Sequence, residues 1–464
     1  MTSLLHALFI LSIKFELPDG KSDDKMKEEV IMPAVASQFL RRSTRQLLTR
    51  CAVALAIVTL SLIFATGALA ADKPAPLWLF DVGNNHDGNT PIGGVIADKA
   101  GNLYGTTQKG GFPGFGIVFK LTPTSSGLWK ETILHTFKGS PLDGATPDST
   151  LVLDSTGNLY GTTLQGGLVT KNPECSPGCG IVFKLTPTAS GPWKETVIHR
   201  FTGKLDGANP VAGLIQDSAG NLFGAVAGGG TTQLGVAFEL SPTPTGWKET
   251  VLHNFGGTQG AAPFAPLAFD SAGNLYGTTL LGGNQNLGVV FKLTRQKSGL
   301  WKERVLHDFQ GGSDGLMPLA GVVLDKEGNV FGASQAMSGQ LPCGTVFKLT
   351  AANGYAQTIL HEFEGTFNNN DGCIPNQLVF DSHGNLFGTS EFGGTDSAGT
   401  IFKLTRETSG FSYKVLYSFL GDRIGSTDGE FPVAPLTFGL DGALFSTSLG
   451  PGFPAGGEVF KFIP

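Results

Sequence analysis

The sequence predicts an all-β protein: a seven-bladed β-propeller of four-stranded antiparallel blades, closed by the N-terminal strand pairing into the last blade. Three observations predict it. The stretch Gly157-Asn158-Leu159-Tyr160-Gly161-Thr162-Thr163 returns in varied form at Gly101, Gly220, Gly273, Gly328, Gly384 and Gly442, at intervals of 53 to 63 residues. A period of this length marks one supersecondary unit per repeat. A further apolar strand also recurs seven times, at Val118-Phe119, Val182-Phe183, Ala237-Phe238, Val290-Phe291, Val346-Phe347, Ile401-Phe402 and Val459-Phe460, each shortly after a glycine. A last strand ends in Leu134-His135-x-Phe137 and recurs at His199, His253, His307, His361 and Tyr417, which gives six copies. The missing copy fits Leu77-Trp78-Leu79-Phe80, so the first ordered segment is expected to complete the last blade and remove the exposed sheet edges.

The second repeat justifies each element in order. Asp143-Gly144-Ala145-Thr146-Pro147 is a turn: Asp and Gly supply the local hydrogen bond and the permissive dihedral, and Pro is excluded from a central strand. Residues 151–153 are a short buried strand, 154–158 a hairpin turn and 159–163 the returning strand. A loop with Gly166-Gly167 leads to a third strand over 181–186, and 193–201 form the fourth. Four antiparallel strands per unit is one propeller blade.

Ahead of the repeats, residues 1–31 are expected to be an untranslated or disordered extension, because a start at Met32 gives an ordinary signal peptide over 32–70. Arg41, Arg42, Arg45 and Arg50 form its positive region, 51–69 its apolar run, and Ala68-Leu69-Ala70 a site for cleavage between Ala70 and Ala71. The run nearly reaches the ~20 residues that span a bilayer, so a retained anchor is the competing reading; the small-residue end favours cleavage on the general secretory route. The expected location is secreted, periplasmic or at the cell surface, with no membrane span after cleavage. Residues 71–76 are then a short lead-in, and 77–464 the propeller, expected to be a monomer.

Glycine is 67 of 464 residues, about twice the usual share of roughly 7%, and it recurs at fixed offsets, as tight turns require. The part after residue 70 carries a net charge near −8. That mild, evenly mixed balance has no electrostatic footprint for nucleic acid. Four cysteines follow the signal, an even number suited to disulfides in an exported chain. Cys175 and Cys179 share one loop. Cys343 and Cys373 lie on the same face of adjacent blades. The expected pairs are Cys175–Cys179 and Cys343–Cys373.

The recurring Gly-Asn-Leu-Tyr-Gly-Thr-Thr with Gly-x-Val-Phe-Lys-Leu-Thr resembles the GloVer-type (Gloeo/Verruco) tandem-repeat proteins over residues 77–464. The resemblance implies an extracytoplasmic repeat protein with no established activity and no catalytic residues to transfer. Such proteins often carry a C-terminal surface anchor; here nothing follows the last strand.

No H-E-x-x-H, P-loop or EF-hand spacing occurs, and no catalytic residue stands out. The histidines His135, His199, His253, His307 and His361 sit one per blade on the outermost strand. They cannot converge on a metal, and a half-buried imidazole tied to a neighbouring blade is the expected role. Asp87, Asp143, Asp206, Asp314, Asp371 and Asp428 begin the D-G-x-x-P turns and are expected on one face, around the mouth of the channel. There they either cap their own turns or meet a ligand or cation; that cation is the only cofactor the sequence suggests. The variable loops of the same face carry Phe112, Phe115, Phe392 and Phe453 on a rigid scaffold, where recognition usually resides. These aromatics and aspartates are the expected ligand-binding set. The leading functional reading is an exported, non-catalytic binding or scaffold propeller for an extracellular glycan or protein. A polysaccharide hydrolase or lyase with acids at the channel mouth, and a purely structural envelope protein, are the alternatives. If the signal reading is right, N-terminal sequencing of secreted material should begin at Ala71; a mature chain that still contains residue 40 would refute it.

Overall fold

The computed structural model describes residues 73–169, 175, 177–189, 192–335, 343–364, 371–421, 429–450 and 456–464. The extension, the signal segment with its Ala70–Ala71 site, Asp428 and Phe453 lie outside the described residues. The described part is all-β, with three short 3₁₀ turns and no α-helix. Seven four-stranded antiparallel units follow one another along the chain. In blade 2 the strands are Val152–Leu153, Leu159–Thr163, Ile181–Thr186 and Lys194–Arg200. Blade 7 takes Thr437–Phe438, Leu444–Ser448 and Glu458–Phe462 from the C-terminal end of the chain. Its fourth strand is Ala75–Leu79, antiparallel to Glu458–Phe462 with Ala75 opposite Lys461. That strand starts two residues before the expected boundary at 77. Blade 6 carries an additional strand, Gly372–Pro375, paired with Leu386–Gly393.

Two glycines show why the repeat is written as it is. A Cβ on Gly161 would stand 2.6 Å from Phe183 Cζ and 2.7 Å from Leu151 Cδ2, so the second strand must be bare where the ring of the third strand lies across it. Gly180, at φ +90°, begins the approach to the third strand, and a Cβ there would meet Pro210 Cδ at 2.5 Å. Only glycine adopts that dihedral cheaply, and it lets the proline of the next blade's turn close in.

The hairpin turn is equally specified. Asp154 Oδ1 accepts from the Thr156 and Asn158 amides, while Oδ2 accepts from Asn158 Nδ2 and the Tyr160 hydroxyl. Burial works to raise the Asp154 pKa; the hydrogen bonds from Asn158 and Thr156 overcome it and hold the carboxyl at about 2.

Blades pack through seven apolar clusters, each shared by two neighbours. The cluster between blades 7 and 1 joins Phe80 and Val459 to Phe119 and Leu121. At every junction the Phe ending one fourth strand meets the third-strand Phe of the next blade edge to face. The pairs are Phe80–Phe119, Phe137–Phe183, Phe201–Phe238, Phe255–Phe291, Phe309–Phe347, Phe363–Phe402 and Phe419–Phe460, with ring centroids 4.9–5.5 Å apart. Deleting residues 75–80 removes both the outer strand of blade 7 and Phe80, which is 4% exposed. The expected cost is at least the ~3–5 kcal/mol of losing one buried Phe, with aggregation through the bared edge. An unchanged melting temperature and a monomeric truncated protein would show that this strand does not hold the ring.

Candidate functional site

The turns that enter each blade and the loops between second and third strands share one face. The structure brings some of the expected residues together there and separates others. Phe112 is 74% exposed. It lines a cavity of about 230 Å³ together with Asp81, Asn84, Asn85, Asp87 and Asn89. Phe115, on the same loop, is partly withdrawn, with its ring against Gly139. Phe392 stands in blade 6, its ring 5.1 Å from that of Phe431. Phe112 and Asp87 therefore belong to one site, and Phe392 does not share it.

The described aspartates lie at blade junctions, against the outer strand of the preceding blade. Asp143 Oδ2 is 3.3 Å from His135 Nε2, and Asp206 Oδ2 is 3.5 Å from His199 Nε2. Asp314 and Asp371 stand 3.1 and 3.2 Å from His307 and His361. Asp87 has no histidine partner, because Trp78, opposite Val459, takes the place that His135 holds opposite Val118; it accepts from the Asp81 and Gly88 amides. Local geometry explains the placement. A β-bulge falls one residue before each His, as at Val182/Phe183 opposite His199 and Val197, and bulges re-aim the side chain beside them. The expectation that each histidine is tied to a neighbouring blade is met at His135, His199, His307 and His361, whereas His253 Nε2 is buried without a hydrogen bond among the described residues.

The third member of each junction was not anticipated. Glu131, Glu195, Glu249 and Glu303, from a recurring Trp-Lys-Glu, pair opposite Leu121, Leu185, Leu240 and Leu293 in the same register. The signal was legible: Glu occupies the inward phase of an alternating strand. Burial, the largest effect, raises Glu131 to about 8, reinforced by the charge of Asp87 and a hydrogen bond to it. Burial likewise raises Glu249 and Glu303 to about 7. Asp143 goes the other way: burial works to raise its pKa, and the hydrogen bonds from His135 and Lys138 bring it below the usual range. A glycosidase needs its two carboxyls at least ~5 Å apart, whereas Glu131 and Asp87 are hydrogen-bonded to each other. Repetition of the glutamate around the ring marks it as part of the frame.

The larger cavity, about 280 Å³, lies on the hairpin face between blades 5 and 6, beside Asp325, Lys348, Asp381, His383, Arg406 and Phe411. It forms where Phe411 takes the place held by a tryptophan in blades 1 to 4. Its acids serve their own turns through Asn329 and Asn385, and Lys348 lies over the Phe331 ring. We therefore weigh the Phe112 cavity above it.

Both expected disulfides are present, Cys175–Cys179 and Cys343–Cys373, with Cα atoms 4.4 and 5.3 Å apart, inside the usual range of about 4.4–6.8 Å. Both lie on the face that carries Phe112. Among the described residues no helix is long and apolar enough to cross a membrane.

Fold and repeat together define a disulfide-bearing propeller built from a tandem sequence unit. The chain belongs to the Gloeobacter/Verrucomicrobia repeat family, whose sequence model matches residues 168–366 and 336–464. No curated protein matches it. Among solved structures it is similar to the extracellular domain of a protein assigned as a one-component system from B. thetaiotaomicron, at 10% identity and a TM-score of 0.49, covering 84% of this chain and 39% of that one. The chain thus spans well under half of that neighbour. A protein from Bacteroides uniformis assigned as a 6-phosphogluconolactonase is similar at 13% identity and a TM-score of 0.46, covering 69% of this chain and 82% of that one.

The buried glutamates make stability depend on pH with a definite sign. An unfolded Glu131 loses its proton near 4.5, whereas the folded protein keeps it until about 8. The native state holds the extra proton across that window, so its stability falls as pH rises. Glu131→Gln, which cannot ionise, should flatten the decline of melting temperature between those values. An identical slope in the variant would show that Glu131 is not held protonated.

Proposed function

We propose that this chain is an exported, non-catalytic recognition propeller that takes a glycan on the face carrying Phe112. The observation behind this reading is the cavity of about 230 Å³ in which Asp81, Asn84, Asn85 and Asn89 gather beneath an exposed aromatic ring. Amide and carboxylate side chains supply the paired donors and acceptors that sugar hydroxyls require, and a phenyl ring offers a flat apolar surface to the C–H face of a pyranose. Position supports it: loops on a rigid scaffold are where recognition resides, and disulfides on this face hold loop shape before binding, which lowers the ordering cost. Two disulfides also suit an oxidising location outside the cytoplasm.

Phe112→Ser tests the reading on a glycan array followed by titration of the glycan that scores highest. Stability should change by no more than ~0.5 kcal/mol, as for an exposed loop residue, while affinity should fall by about tenfold or more, the signature of a central aromatic anchor. A glycan bound equally by wild type and variant would remove Phe112 from the site, and a wild type that binds no glycan would reject the reading.

A further inference from the structure

At two consecutive junctions the ring assembles three side chains of metal-binding type. They are His135, Asp143 and Glu195 between blades 1 and 2, and His199, Asp206 and Glu249 between blades 2 and 3, with one potential ligand atom from each residue lying within 4.8 Å of the others. We propose that each of these junctions is a zinc site, binding one Zn²⁺ between neighbouring blades.

The distances fit the ion. Zn–N and Zn–O bonds of about 2.0–2.2 Å in a tetrahedron place ligand atoms about 3.3–3.6 Å apart. His135 Nε2 is 3.3 Å from Asp143 Oδ2 and 3.8 Å from Glu195 Oε1. His199 Nε2 is 3.5 Å from Asp206 Oδ2 and 4.0 Å from Glu249 Oε2. Small rotations of the glutamates close both shells and leave a fourth position open. One imidazole with two carboxylates is a donor set that Zn²⁺ accepts, and two carboxylates balance its charge.

Buried atoms at these junctions lack partners. Glu195 Oε1, His199 Nε2 and Glu249 Oε1 are all withdrawn from solvent without a hydrogen bond among the described residues, as are Glu131 Oε1, His253 Nε2 and Glu303 Oε1 at the two flanking junctions, where one of the three ligand types is replaced. Such atoms are rare in folded proteins and ask for an explanation; a shared cation is one that serves the first three. The surroundings also hold the ligands in place. The Lys138 and Gly144 amides fix the Asp143 carboxylate, and the Thr202 amide fixes Asp206. Edge-to-face contacts with Phe137 and Phe201, at 4.7 Å, set the two imidazoles. Support of this kind around first ligands is what metal sites require.

The ring supplies its own controls. The same scaffold offers His253, Gln259 and Glu303 at the next junction, His307, Asp314 and Gln357 at the one after, then His361, Asp371 and Tyr413. Each lacks one carboxylate. Where the glutamate is missing, imidazole and aspartate draw together to 3.1 and 3.2 Å. Gln357 pairs opposite Leu349 just as Glu195 pairs opposite Leu185, so a Glu→Gln change at these sites copies a residue the fold already accommodates.

The purified chain, stripped with chelator and dialysed, is titrated with Zn²⁺ and in parallel with Co²⁺. Two equivalents should bind, matching the two clusters, with the visible absorption of four-coordinate Co²⁺ and a rise in melting temperature. Glu195→Gln and Glu249→Gln should each lose one equivalent. The double variant should bind none and lose the thermal shift, while Glu303→Gln keeps both ions. Circular dichroism of the metal-free variants confirms that the fold is retained. Uptake of less than one equivalent by the stripped wild type, undiminished uptake by the double variant, or loss of an ion in Glu303→Gln would overturn the assignment.

Discussion

The structure depends on one contact made seven times: a phenylalanine at the end of a fourth strand, set edge to face on the third-strand phenylalanine of the next blade. Such pairs contribute about 0.5–1.5 kcal/mol each beyond the area they bury, and both rings are almost wholly withdrawn from water. Much of the repeat follows from accommodating them. The glycine of the second strand is bare because the third-strand ring lies across it, at Gly105, Gly161, Gly224, Gly277, Gly332 and Gly388. Ser446 holds that place in blade 7, the single position where a small polar side chain is fitted instead. The N-terminal segment obeys the same rule: Phe80 packs on Phe119 at 5.2 Å, so the strand added from the far end of the chain makes the same kind of contact as the others.

Outside this apolar layer runs a polar one, and the two tolerate change differently. The phenylalanine layer scarcely varies from junction to junction. The polar layer is His-Asp-Glu twice, then His-Gln-Glu, His-Asp-Gln and His-Asp-Tyr, with Trp-Asp-Glu where the N-terminal strand enters. At the fifth junction Tyr413 stacks on His361 with centroids 3.5 Å apart, an aromatic solution to a position filled elsewhere by a carboxyl. A core pair admits few substitutes because volume and shape are fixed on all sides. A half-buried polar trio has only to keep its donors and acceptors matched, and several residue sets do so.

This difference explains what could be read from the sequence. Period, strand order, the seventh fourth-strand and both disulfides were legible because each leaves a local mark: a glycine at φ above zero, a proline after a turn, or a pair of cysteines at loop positions on one face. The partners of the aspartates are not legible in the sequence, because a turn sequence fixes where the backbone goes and says little about which neighbour its carboxylate meets. Asp143 meets His135 only because a bulge in another blade turns the imidazole outward. Glu195 escaped notice for a related reason. It lies 52 residues beyond Asp143, and only blade packing brings the two together. The cavity under Phe112 was half legible: the aromatic and Asp87 were singled out, whereas Asp81, Asn84 and Asn85 come from the segment that closes blade 7.

The two faces of the ring differ in what their polar groups still have to offer. On the hairpin face each aspartate uses both oxygens on its own turn, as Asp98 does with the Ala100 and Asn102 amides, Asn102 Nδ2 and the Tyr104 hydroxyl. The same pattern returns at Asp154, Asp217, Asp270, Asp325 and Asp381. Those groups are committed to keeping the turns tight, and a ligand would have to compete with them. On the opposite face the connections are longer and unlike one another, and two of them are braced by disulfides. Six copies of one turn make a uniform surface with little to distinguish a partner, whereas seven unlike loops can be shaped separately without disturbing the phenylalanine layer beneath. The recognition proposed above is therefore placed on the face where sequence variation is cheapest, the face on which Phe112 stands exposed.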